Sequence, residues 1–246
     1  MKSYINSVKQ LMLFLLTLLF FISSSEAQSS KLTIACAANF RPTMNKLVSA
    51  FKQHSNHQIE IRISTGSSGS LATQILHGAP YDLFFSADTL FPQLLEQAGI
   101  GREKYAYASG ELVLYSLNKS QTELSVWLNE MKDATVAIAN PKLAPYGRTA
   151  ASILQHQGVT PQRLVNGTSV LHAFQLVENG HAQYAFIAKS LLQTTFSGQW
   201  IAIPTHWYEP IEQHALLLTD NAHANAFFDY VKSDAAQLLI SDSGYR

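Results

Sequence analysis

The sequence predicts an α/β fold in two lobes, each a mainly parallel sheet flanked by helices, with a hinge between them. Three observations predict it. Apolar, strand-like runs alternate with helix-period patterns along most of the chain, the order that builds parallel sheets. The stretch from about Gly110 to Pro210 carries strands and helices of its own, as a second lobe would if the chain left the first lobe and later returned. Four times a strand-like run passes to a helix pattern through small, uncharged, hydrogen-bonding residues: Ala38-Asn39-Phe40, Gly66-Ser67-Ser68-Gly69, Pro145-Tyr146-Gly147 and Thr168-Ser169-Val170. Ligands in open α/β sheets sit where strands end and helices begin, so these junctions are the candidate site.

The first element is an export signal. Lys2 and Lys9 precede an apolar run from Leu11 to Ile22, and a Ser-x-Ala cleavage pattern follows at Ser25-Glu26-Ala27. This twelve-residue run, apolar but for Thr17, falls short of the ~20 that span a bilayer core, so residues 1–27 are expected to be a cleaved signal peptide rather than an anchor. Their removal takes out two lysines and one glutamate, which moves the net charge from 0 to −1. Nucleic acid and anionic membrane surfaces are therefore not expected as partners. Nothing in Gly, Pro or charge marks a low-complexity block, and no repeat stands out.

Strands are predicted over 32–37, 58–64, 82–86, 111–116, 135–139, 183–187 and 213–219. Ile59, Ile61 and Ile63 alternate with Glu60 and Arg62, the pattern of a strand with one wet face. Met44, Leu47, Val48 and Phe51 recur at helical spacing, as do Val170, Ala173, Phe174 and Val177. Shorter helices are expected after Ser68 and after Tyr146, and another carries Ala224, Phe227, Phe228 and Val231. Cys36 is the only cysteine and lies in an apolar run; it reads as an inert core thiol, with no intramolecular disulfide possible.

A helix start exposes unpaired N–H groups and the positive end of the macrodipole, so several meeting in one cleft hold an anion without Lys or Arg. Ser and Asn are equally at home as helix caps with no ligand, and junction chemistry alone does not separate the two readings of Asn39 and Ser68.

At these residues the sequence resembles the periplasmic molybdate-binding proteins of ABC transporters, within the type II solute-binding fold. The likeness rests on Ala37-Ala38-Asn39-Phe40, on Gly66 to Gly69 with Leu71 and Ala72, and above all on Gly78-Ala79-Pro80-Tyr81-Asp82-Leu83-Phe84-Phe85-Ser86-Ala87-Asp88. It continues through Asn140-Pro141, Ala144-Pro145-Tyr146-Gly147, Asn166 to Val170 and Tyr208-Glu209-Pro210-Ile211. The resemblance implies lobe one over 31–109 and 211–246, and lobe two over 110–210. It implies oxyanion ligands at Ala38, Asn39, Ser68, Ala87, Tyr146 and Val170, with the amides of Ala87 and Val170 and the Asn39, Ser68 and Tyr146 side chains as donors. Where some relatives carry a ligand tyrosine this chain has Ala188, and the Ala-Pro-Tyr-Gly subgroup puts that role on Tyr146.

The implied protein captures molybdate, and tungstate with it, closes over the anion, and delivers it to an ABC transporter permease in the inner membrane. It works in the periplasm as a monomer, without a cofactor, and the molybdenum arrives as its oxyanion rather than by side-chain coordination. Molybdate carries no proton near neutral pH and so wants donors only, whereas phosphate carries one and wants an acceptor. The alternatives are another oxyanion such as sulfate, a small organic acid reached by Arg41 or Arg148, and a secreted hydrolase. The chain has neither Gly-x-Ser-x-Gly nor Gly-x-x-x-x-Gly-Lys, and His54 and His57 lack the His-Glu-x-x-His context of a zinc helix.

Overall fold

The computed structural model describes residues 31–54, 59–117, 123–193 and 196–246; the expected signal peptide lies outside them. The chain runs β1 (Lys31–Ala37), a 3-10 turn (Ala38–Phe40), α1 (Arg41–His54), β2 (Glu60–Gly66), α2 (Ser68–Leu76), β3 (Leu83–Ser86), α3 (Leu90–Gln97) and β4 (Glu103–Gly110). After Glu111 come β5 (Leu112–Ser116), α4 (Leu124–Glu130), β6 (Thr135–Ala139), α5 (Pro145–His156), β7 (Arg163–Gly167), α6 (Val170–Glu178), β8 (Tyr184–Ala188) and β9 (Gln199–Ala202). The chain closes with β10 (Ile211–Leu217), α7 (Ala222–Lys232) and α8 (Asp234–Asp242).

The strands form two five-stranded sheets, in the orders β2-β1-β3-β10-β4 and β7-β6-β8-β5-β9. In the first sheet β1 is parallel to β2 and β3, while β10 runs against β3 and β4. The second repeats the plan: β6 is parallel to β7 and β8, and β5 runs against β8 and β9. One reversed strand in each sheet is what lets the chain pass from one lobe to the other and back. A single residue, Glu111, separates β4 in the first sheet from β5 in the second.

Side-chain alternation divides the first lobe's core. Leu32, Ile34 and Cys36 face Phe40, Met44, Leu47 and Phe227, while Ala35 and Phe84 pack with Leu71, Ile75 and Leu95 on the other face. Burial pushes the Cys36 thiol up, so it stays protonated in a core position. In the second lobe Val136, Ile138, Phe186 and Ile187 pack with Ala150, Ile153, Phe174 and Val177. Ala37 and Ala87, at the ends of first-lobe strands, join that second core. The lobes thus meet at the carboxyl ends of their strands.

β4, β7, β9, α3, α4 and α8 are not among the elements that the sequence predicts. The three strands are all sheet edges, and β7 and β9 are largely wet, so their apolar alternation is weak. The three helices bury only two residues each, too narrow an apolar stripe for a firm period. Among the described residues no helix is long and apolar enough to cross a membrane.

Candidate functional site

Each of the four junctions opens at the carboxyl end of a parallel strand. β1 gives way to Ala38-Asn39-Phe40, and β2 to α2 through Ser67, whose side chain caps the helix by accepting from Ser70 N–H. β6 leads to α5, with Pro145 in its first turn, where its fixed φ and missing N–H cost nothing. β7 leads to α6 through Ser169, whose side chain accepts from His172 N–H. With these two caps supplied by Ser67 and Ser169, Ser68 and Val170 are left at the first helical position. The N–H groups of Asn39, Ser68, Tyr146 and Val170 have no acceptor among the described residues.

All four junctions line one cavity, together with Ala87 from the end of β3. It holds Ala38, Asn39, Ser68, Ala87, Tyr146 and Val170, the six residues singled out from the sequence, and also Ala37, Gly66, Ser67, Ala144, Pro145 and Ser169. Most of the added six are neighbours within the same junctions; Ser67 and Ser169 carried a cap signal that could have brought them in. The cavity is small, about 10 Å³, and suits a single small group. None of the lining residues is charged.

The hydrogen bonds revise which atom of each residue is available. Ser68 Oγ accepts from Ala87 N–H at 2.9 Å, so the Ala87 amide, expected to face a ligand, is bonded to Ser68 and leaves that hydroxyl free to donate. Asn39 Nδ2 donates to Gln213 Oε1 at 2.9 Å and to the Tyr245 oxygen at 3.0 Å. Its side-chain donors are thereby committed; what remains is its backbone N–H, together with a buried Oδ1 that has no partner among the described residues. Gly244, at φ +88°, makes the left-handed turn that brings Tyr245 back under Asn39. Tyr146 accepts from Gln213 Nε2 at 3.0 Å; burial, with Tyr245 nearby, holds its phenol well above the usual range, so it stays a donor at any physiological pH. Ala188 is fully buried at the end of β8 and does not line the cavity.

Three further contacts join the lobes around this cavity. Gly69 N–H donates to Leu143 O at 2.9 Å, and a Cβ on Gly69 would lie 2.6 Å from Phe91 and 3.0 Å from the Leu143 backbone. Ser190 Oγ donates to Asn39 O at 3.1 Å. Arg148, on α5, pairs with Asp88, whose other oxygen accepts from Ser86 Oγ and from Phe91 N–H at the start of α3. Arg41 donates to Ile63 O and Thr65 Oγ1 along β2. Neither guanidinium lines the cavity, which removes the feature that an organic-acid site would need.

Among the described residues no three of His, Cys, Asp and Glu gather as metal ligands; His57 and the side chain of His54 lie outside the described residues.

Residues 32–246 match the family described as bacterial extracellular solute-binding protein. The chain is 35% identical to the molybdate-binding protein of Azotobacter vinelandii over 232 residues, covering 89% of this chain and 91% of that one. It is 32% identical to the molybdate-binding protein of Rhodobacter capsulatus over 227 residues, with 89% of each covered. The solved periplasmic molybdate-binding protein of Azotobacter vinelandii superposes with a TM-score of 0.81 at 31% identity, covering 87% of this chain and 98% of that one.

Proposed function

Since this chain belongs to the bacterial extracellular solute-binding protein family, and within it to the periplasmic molybdate-binding proteins of ABC transporters, we propose that it captures molybdate, and tungstate alike, in the periplasm. One observation carries the reading: helix starts and hydroxyls from both lobes converge on a small cavity whose lining holds donors and no charge. A proton-free dianion is the ligand that such a donor set fits. A carboxylate in the lining would repel it.

Ala38, Asn39, Ser68, Tyr146 and Val170 hold the oxyanion, with Ala87 acting through the Ser68 hydroxyl. The lobes span 31–109 with 211–246, and 110–210, and the chain hinges at Gly110-Glu111 and near Tyr208 to Pro210. Closure excludes water and brings both donor sets onto one anion. The loaded monomer then delivers it to a permease in the inner membrane, with no covalent step. Calorimetric titration with molybdate, tungstate, sulfate and phosphate tests the reading; tight binding of the first two and weak binding of phosphate is expected, and no heat with either metal oxyanion would remove it.

Two further outcomes are expected. Because the ligand binds the closed form, molybdate at about 100 times its Kd adds ~2.7 kcal/mol, or roughly 5–10 °C in Tm for a chain of this size. Arg148→Gln leaves the buried Asp88 carboxylate without its ion-pair partner across the cleft mouth. Partial exposure screens the pair, so molybdate affinity is expected to fall only about threefold to tenfold. Wild-type affinity in this variant would show that the ion pair does not hold the lobes together.

A further inference from the structure

We propose that Gln213 is a positioning residue for the anion: it occupies the oxygen of the Tyr146 hydroxyl, turns its hydrogen to the ligand, and so helps the site separate proton-free oxyanions from protonated ones. The proposal rests on the oxyanion reading above.

Gln213 lies on β10 in the first lobe, fully buried, and reaches Tyr146 on α5 in the second. Its polarity is set by a chain of hydrogen bonds. The Tyr245 hydroxyl gives its hydrogen to Asn39 O at 3.0 Å, so its oxygen accepts from Asn39 Nδ2. That fixes the Asn39 amide, whose Nδ2 also donates to Gln213 Oε1. The Tyr107 hydroxyl lies 2.8 Å from the same Gln213 oxygen. Gln213 therefore presents its Nε2, not its carbonyl, to Tyr146.

A hydroxyl has one hydrogen to give. With its oxygen taken by Gln213, Tyr146 keeps that hydrogen, and it has no acceptor among the described residues. Tyr146 is buried and lines the cavity, so an anion there supplies the missing acceptor. Phosphate's own O–H would meet a hydroxyl oxygen already engaged by Gln213 and so a poorer acceptor. The bond crosses between lobes, so this polarity is complete only when they meet.

The test is a calorimetric cycle on the protein: wild type, Gln213→Leu, Tyr146→Phe and the double variant, titrated with sodium molybdate and then with sulfate and phosphate as competitors. Sulfate and phosphate match in size and differ in the proton. Gln213→Leu is expected to weaken molybdate roughly tenfold to hundredfold, and the double variant to bind no worse than Tyr146→Phe. In Gln213→Leu the freed tyrosine oxygen can accept, so the preference for sulfate over phosphate narrows about tenfold. Additive losses, or an unchanged sulfate-to-phosphate ratio, overturn the proposal and leave Gln213 as packing. Should Gln213→Leu fail to fold, Gln213→Met keeps the length and takes its place. A wild type that binds a different oxyanion defeats the molybdate reading alone, and the same cycle is read on that anion; a wild type that binds none overturns both.

Discussion

Gly110→Ala is expected to lower molybdate affinity about 100-fold, with a smaller effect on the unfolding temperature of the unloaded protein. Gly110 ends β4, and after Glu111 the chain enters β5 of the second sheet. A Cβ there would lie 2.0 Å from the Tyr146 hydroxyl oxygen and 2.6 Å from Gln213 Nε2. No real contact is that short, so the tyrosine must withdraw, the glutamine must break its bond, or the lobes must stay apart. The tyrosine has little freedom to withdraw, because its backbone opens α5 between Pro145 and Gly147. Gly147 is itself hemmed in: a Cβ on it would lie 2.1 Å from Ala139 O. Losing a hydrogen bond to a charged ligand costs ~1.5–3 kcal/mol, and overpacking adds ~1–3 kcal/mol; about 100-fold is the lower part of that sum. In an open form the lobes separate and the tyrosine clash is relieved, leaving only the flexible Gln213 side chain of the same sheet to shift, which is why the unloaded protein should lose less. Calorimetry with differential scanning checks both arms. Unchanged affinity would mean that the bound protein does not bring Tyr146 against Gly110.

Ser68→Ala is expected to cost roughly 30-fold or more in molybdate affinity. Two groups lose their partner at once. The cavity loses the hydroxyl donor, and the Ala87 N–H, which donates to Ser68 Oγ at 2.9 Å in a fully buried place, is left without an acceptor. A buried unsatisfied N–H costs ~1–3 kcal/mol, so the unloaded protein should also melt several degrees lower. The variant also separates two roles for Ala87. If its amide bonds Ser68 in the loaded protein too, the affinity loss is large and the melting temperature falls. A loss under about threefold would instead mean that the Ala87 N–H turns onto the anion and replaces the missing hydroxyl.

Much of this molecule was legible in the order of its residues. The β1, β3, β6 and β8 runs are apolar because their strands are buried on both faces, and α1 and α6 show a clean helical period because each lays one long stripe on a sheet. β7 and β9 lack such a signal because they are wet edges. The edge strand β2 was legible as 58–64, two residues ahead of its observed span Glu60–Gly66, since Ile61 and Ile63 alternate with Glu60 and Arg62. The junction residues stood out for a local reason: Ser67 and Ser169 cap helices within three residues of themselves, and cap chemistry is short-ranged.

What the sequence by itself determined is the α/β plan of two sheets, the four donor-rich turns and the uncharged character of the residues in them, because each follows from periodicity or from contacts a few positions apart. Which atom of each residue faces the cavity was decided only by the tertiary structure. Asn39 is bonded to Gln213 and Tyr245, Ser68 to Ala87, and Tyr146 to Gln213, at separations of 174, 206, 19 and 67 residues. A hydroxyl or amide can donate or accept until its neighbours choose for it, and here nearly all of those neighbours are far away in the chain, with Gln213 reaching Tyr146 from the other lobe.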